Sequence, residues 1–160
     1  AGIAGIAARK NAKLVVDSSG EALKKALEEK IFLCKPNLGE LASLAGEEEL
    51  SQERAIETAG QIIAGGKCEI IVISMGAAGA AMVTKNEVKI ISAPLVKRKS
   101  TVGAGDSMIA GIVLSLSKGM EPHQAVMYGV ACGTAATMNP GTELCRREDA
   151  DRLFDIIRKK

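Results

Sequence analysis

Glu69-Ile-Ile-Val-Ile-Ser74 decides the fold class of this chain. Four branched aliphatic residues in succession leave no polar face to offer water. A strand exposed on one face alternates apolar and polar side chains, whereas a strand covered on both faces does not. The stretch therefore reads as a central parallel strand. Upstream, Lys13-Leu-Val-Val-Asp17 and residues 31–35 read as two further short strands. Residues 20–29 predict a helix between them. Pro36 stops the second strand, and Asn37 can cap a helix over residues 38–45. Ser51 caps another helix over 51–64, where Ala55, Ile56, Ala59, Ile62 and Ile63 recur at helical spacing. Residues 1–11 read as the end of a helix.

Downstream, Gly76-Ala-Ala-Gly79 reads as a turn. Residues 80–84 and 88–93 read as a hairpin around Lys85-Asn86-Glu87, and 94–101 as a loop. Residues 104–117, 122–138 and 148–158 predict three helices. Strands alternating with helices argue an α/β fold with a mostly parallel, doubly wound sheet, the last helices packing around it. Ligands of such sheets lie beyond the carboxyl ends of the strands.

Composition narrows the function. The length of 160 residues fits one domain, residues 1–160. With two Phe, one Tyr and no Trp, the core must come from Ile, Leu, Val, Ala and Met. The net charge of +2 comes from mixed signs, and no aromatic residue interleaves with the basic clusters Lys97-Arg98-Lys99 and Arg158-Lys159-Lys160. Nucleic-acid binding is therefore not expected. Cys34, Cys68, Cys132 and Cys145 form no CxxC pair, and His123 is the only histidine, so no zinc site is expected. Scattered cysteines of this kind read as reduced, buried thiols of a cytoplasmic protein. The uncharged run from Pro122 to Thr142 is too polar for a membrane span. The chain starts without a methionine, inside an Ala/Gly/Ile run, and reads as part of a longer protein.

Three loops carry chemistry. Ser100-Thr-Val-Gly-Ala-Gly-Asp-Ser-Met108 places a glycine-rich turn before a helix. Free N–H groups at such a start favour an anion. A carboxylate there, Asp106, would repel a resting anion. It fits a transferring phosphoryl group, with Asp106 taking the proton of an attacking hydroxyl. The N–H groups of Ala104, Gly105 and Asp106 would meet the charge developing on the phosphoryl oxygens. The alternative is an acidic helix start with no catalytic part. Lys35-Pro-Asn37-Leu-Gly-Glu40 fits either a capping box or a phosphate and magnesium site. Ser74-Met-Gly76-Ala-Ala-Gly79 fits either a strand-to-strand turn or backbone approach to a flat ligand. Gly129-Val-Ala-Cys-Gly133-Thr134-Ala-Ala136 makes a small-residue helix face, suited to close helix packing or to an adenine ring.

Taken together and in order, these loops resemble the ribokinase-like (PfkB) family of sugar kinases. Val16-Asp-Ser-Ser-Gly-Glu-Ala-Leu23 and Ala135-Ala-Thr-Met-Asn-Pro-Gly-Thr-Glu-Leu-Cys145 bring it nearest the phosphofructokinase members. The resemblance implies a three-layer α/β/α fold and ATP-dependent phosphorylation of a sugar phosphate: fructose 6-phosphate first, with fructose 1-phosphate and tagatose 6-phosphate as alternatives. A nucleotide-binding module without catalysis is the alternative of another class. By matching position, Asp106 would be the base and Gly103, Ala104 and Gly105 the anion hole. Lys35, Asn37, Ser74, Gly76, Gly79, Val102, Gly133 and Thr134 would surround ATP. Glu40 would hold magnesium through water. Ser100, Val102, Ala136, Asn139 and Gly141 would hold potassium, largely through backbone oxygens. Glu143 departs from the pattern, which leads us to expect arginine there. The resemblance also implies a homodimer. Family members are roughly twice this length, and their amino-terminal half, which supplies most sugar contacts, is not in this sequence.

Overall fold

In the computed structural model, which describes residues 2–159, the apolar stretch is the middle strand of a five-stranded sheet. The strands are β1 (Val15–Val16), β2 (Ile31–Cys34), β3 (Cys68–Ser74), β4 (Gly79–Thr84) and β5 (Val88–Ser92), and they lie side by side in that order. β1 pairs parallel with β2, and β2 parallel with β3, with Leu33 opposite Ile70. The link from β3 to β4 is a short 3-10 turn, Gly76–Ala78. A parallel crossover needs a dozen residues or more, so β4 turns back antiparallel. Thr84 closes the hairpin to β5. Its N–H donates to the Glu87 carbonyl at 2.9 Å, and its Oγ1 accepts from the Glu87 N–H at 3.1 Å.

The five strands run in sequential order, the first three parallel, as expected of a mostly parallel α/β sheet. The alternation of strands and helices is as read from the sequence, but alternation does not encode order. Right-handed crossovers that progress in one direction place their helices on one face. Those helices are α2 (Gly20–Glu28), α3 (Leu38–Ala45) and α4 (Gln52–Ala64); α1 (Ile3–Arg9) precedes them.

The chain divides into two compact units. One comprises the residues up to Met75 together with Ala81–Lys89; the other comprises Gly76–Ala80 and the chain from Ile90 onward. The core of the first is continuous from Leu23 and Leu27 of α2, through Leu41 of α3 and Ala55, Ala59 and Ile63 of α4, to Ile71 and Ile73 of β3. Val72, between these two on the opposite face of β3, is equally buried, as expected of a strand covered on both sides. Each of the Leu, Ile and Val side chains contributes about 1.5–3 kcal/mol by leaving water. All four cysteines are free thiols, with Cys34 and Cys68 buried and their sulfurs 3.9 Å apart.

The second unit is built on α5 (Ala104–Ser117), α6 (Pro122–Thr137) and α7 (Arg147–Ile157). α5 and α6 approach almost backbone to backbone. A Cβ on Gly129 would meet Ile112 Cγ1 and stand 2.9 Å from the Met108 carbonyl oxygen; one on Gly111 would stand 2.7 Å from Cys132 Sγ. The small-residue face of α6 is therefore a packing surface. α7 lies against α6 through Tyr128, whose hydroxyl donates to Asp151 Oδ1 at 2.7 Å and whose ring meets Phe154 edge-on at 5.3 Å. Among the described residues no helix is long and apolar enough to cross a membrane.

Gly129→Ala is expected to force the two helices apart and cost about 1–3 kcal/mol, the usual penalty of an overpacked core. Urea unfolding read by far-UV circular dichroism measures it. An unchanged midpoint would mean that the helices are not held at this distance.

Candidate functional site

The carboxyl ends of β1, β2 and β3 gather one set of the expected residues in the first unit. Asn37 follows β2 and caps α3. Its Oδ1 accepts from the Glu40 N–H at 2.8 Å, and Glu40 Oε2 accepts from the Asn37 N–H at 2.9 Å. The local reading of this spacing, a capping box, is realised. It leaves the Asn37 amide N–H groups and one Glu40 oxygen for other partners. Ser74, at the end of β3, lies beside Asn37 in an isolated parallel bridge, its N–H donating to the Pro36 carbonyl at 2.9 Å.

Lys35 behaves differently from the expectation of a nucleotide contact. Only 7% of it is exposed, and its Nζ lies 3.3 Å from Asp17 Oδ1. An ammonium group taken out of water needs a partner, and Asp17, at the end of β1, supplies one. Lys35 thus ties two neighbouring strand ends together beneath the Asn37 turn. Asp17 has no role in the reading of the sequence, because only the parallel pairing of β1 with β2 brings it there.

The turn expected to bind an anion belongs to the second unit. Gly103 adopts φ 77°, ψ 0°, the left-handed conformation that a side chain disfavours, and starts α5. The Ala104 N–H turns back to the Thr101 carbonyl at 3.3 Å, and the Ser107 N–H reaches the Gly103 carbonyl at 2.9 Å. Between them, the N–H groups of Gly105 and Asp106 have no backbone partner among the described residues. Three free groups were expected from Ala104 to Asp106; the first is largely spent on closing the turn. Asp106 is in the first turn of α5, and both it and Gly105 are exposed to solvent.

The five residues expected to hold potassium come together around the same turn. Ser100 Oγ donates to the Gly141 carbonyl at 2.6 Å and accepts from the Val102 N–H at 3.2 Å. The Lys99 N–H donates to the Thr137 carbonyl at 2.7 Å, and the Asn139 N–H to the Ala136 carbonyl at 3.1 Å. Asn139 is buried and donates from Nδ2 to the Leu144 carbonyl at 2.8 Å. Such a cluster of carbonyl and hydroxyl oxygens suits a hard cation. Glu143 pairs with Arg146 at 3.2 Å.

Gly133 and Thr134 are less open than expected. A Cβ on Gly133 would stand 3.0 Å from the Ala104 carbonyl oxygen, so this glycine lets α6 pass beneath the start of α5. Thr134 is buried, its hydroxyl donating to the Val130 carbonyl at 2.7 Å. Gly76 opens the 3-10 turn, and Gly79 leaves no room for a side chain because its Cβ would collide with the Ile91 carbonyl oxygen. Ser107 was not singled out from the sequence. Its Oγ accepts from the Cys145 N–H at 3.4 Å, joining the loop before α7 to the first turn of α5.

No group of three or more His, Cys, Asp or Glu suited to a metal occurs among the described residues. Magnesium would find one carboxylate, Glu40, which fits an ion held mainly by water and phosphate oxygens.

The family model described as pfkB family carbohydrate kinase matches residues 3–149. The chain is 39% identical over 152 residues to the ATP-dependent 6-phosphofructokinase isozyme 2 of Escherichia coli (strain K12), covering 94% of this chain and 49% of the relative. It is 38% identical over 137 residues to the 1-phosphofructokinase of Bacillus subtilis (strain 168), covering 84% and 45%. The structure of the phosphofructokinase-2 from Escherichia coli in complex with potassium superposes with a TM-score of 0.92 at 37% identity, over 97% of this chain and 50% of that one. The chain spans about half the length of the curated relatives it matches.

Asn37→Ala removes the cap of α3 and should cost about 1 kcal/mol, as loss of such a cap does elsewhere. A matching drop in thermal midpoint, with Asn37→Ser restoring most of it, is the expected result.

Proposed function

Because the chain belongs to the pfkB family of carbohydrate kinases, we propose that it is the carboxy-terminal, ATP-binding portion of an ATP-dependent 6-phosphofructokinase. The observation that carries this reading is one helical turn. It holds two N–H groups without backbone partners and an exposed carboxylate, all at the positive end of α5.

The reaction follows from these groups. Asp106 accepts the proton of the sugar hydroxyl as its oxygen attacks the γ-phosphorus of ATP. A new P–O bond forms, the bond to the bridging β–γ oxygen breaks, and its electron pair leaves with ADP. The N–H groups of Gly105 and Asp106, in the turn made by Gly103 and Ala104, take up charge on the transferring oxygens. Asn37, Ser74, Gly76, Gly79 and Val102 serve the nucleotide. Lys35 acts on it at one remove, by fixing the Asn37 turn, and Gly133 and Thr134 by packing beneath the anion hole. Glu40 would hold magnesium through water, and the ion would offset phosphate charge. Ser100, Val102, Ala136, Asn139 and Gly141 would hold potassium, which would add positive potential beside the turn. Its support is the oxygen cluster itself and the potassium complex of the Escherichia coli relative.

The acceptor contacts lie in the rest of the kinase. Fructose 6-phosphate is the first choice because the 6-phosphofructokinase relative matches more of this chain than the 1-phosphofructokinase does. Fructose 1-phosphate is the second. The whole enzyme is proposed to be cytoplasmic and homodimeric.

Asp106→Asn in the intact kinase is expected to lower turnover about 100- to 10,000-fold, the range of general base catalysis, with ATP binding kept. Unchanged turnover would leave a nucleotide-binding module with no part for Asp106. An acceptor screen with fructose 6-phosphate, fructose 1-phosphate, tagatose 6-phosphate and ribose should give the highest kcat/KM for the first; a preference for fructose 1-phosphate would reassign the enzyme.

A further inference from the structure

Helices α5, α6 and α7 border a cavity of about 540 Å³ that the proposed reaction does not use. Its size falls within the range of about 300–1,000 Å³ usual for small-molecule sites. The walls are mainly apolar, with Ala110 and Leu114 of α5 facing Phe154 of α7. Phe154 is held edge-on by Tyr128, so the cavity has a fixed aromatic wall.

Its polar groups are unbalanced in one direction. Asp151 is the one acid in the lining, and it is already engaged by the Tyr128 hydroxyl at 2.7 Å and by Arg147 Nε at 3.5 Å. Lys118, at the end of α5, also lines the cavity and has no acidic partner among the described residues. Ser107 and Ser115 add hydroxyls from the same helix. Two cations stand against one neutralised carboxylate, and the groups left to a ligand are chiefly donors. The complement of such a lining carries negative charge on an apolar body.

We propose that this cavity is a binding site for a small aromatic anion, an aryl carboxylate or sulfonate. Its ring lies against Phe154 and Leu114, and its charged group is held by Lys118. The proposal stands apart from the kinase reading, since Phe154, Leu114 and Lys118 have no part in phosphoryl transfer.

Anilinonaphthalene sulfonate is a suitable probe, with neutral phenylnaphthylamine as its uncharged counterpart. In fluorescence titrations of the intact protein, Ala110→Phe should remove one equivalent of the sulfonate dye. Ala110 is exposed on α5, so the new ring fills the cavity without entering the core. Lys118→Glu should weaken the sulfonate about tenfold, the worth of one charge-assisted hydrogen bond, and leave the neutral dye unchanged. Thermal midpoints verify that both variants fold. Wild-type dye binding in Ala110→Phe would overturn the site. Equal weakening of both dyes by Lys118→Glu would overturn the anion.

Discussion

A backbone held at φ 77° costs a residue with a side chain about 1–2 kcal/mol and costs glycine almost nothing. Gly103 adopts that conformation just before α5, and the chemistry proposed for the second unit depends on it. The turn it makes leaves the Gly105 and Asp106 N–H groups open while the Ser107 N–H is satisfied. An ordinary helix start would have invited a side-chain cap and closed the site to an anion. Here the cap position has no side chain, and the vacancy is what a phosphoryl group can use. The turn is held from outside as well: Gly133 lets α6 run under it, and Ser100 on Gly141 and Ser107 on Cys145 pin the flanking loops.

The first unit uses a side-chain cap instead. Asn37 and Glu40 form a reciprocal capping box at the start of α3, which leaves the Leu38 and Gly39 N–H groups without a partner among the described residues. Structural and functional readings of that pair are compatible, because each side chain spends only part of its capacity on the cap. One Glu40 oxygen and the Asn37 amide N–H groups stay outward. A rigid cap presents them in fixed positions, which binding favours over flexible ones.

Much of this was legible in the sequence where the signals are local. α3 and α5 fall on the predicted residues because Asn37 and Gly103 mark their starts. The apolar run made β3 central, as found. β1 shrank from five residues to Val15–Val16, since only two of them align with β2. Non-local facts stayed hidden. Strand order depends on the direction in which each crossover steps along the sheet, which leaves no mark on composition. The pairing of Lys35 with Asp17 joins residues on different strands, and no spacing rule announces it. The reduction from three expected free N–H groups to two at the start of α5 depends on where Thr101 points its carbonyl.

Tyr128 gives the molecule an uneven spectroscopic voice. The chain has no tryptophan and this single tyrosine, and the tyrosine lies where α6 meets α7. Its hydroxyl is bonded to the Asp151 carboxylate, a partner that quenches phenol emission. Folded protein should therefore be dim and brighten as α7 detaches. The sheet, with its aliphatic core, contributes no signal of its own. Intrinsic fluorescence will follow the helical unit, while the strands that carry Lys35 and Asn37 open and close unseen.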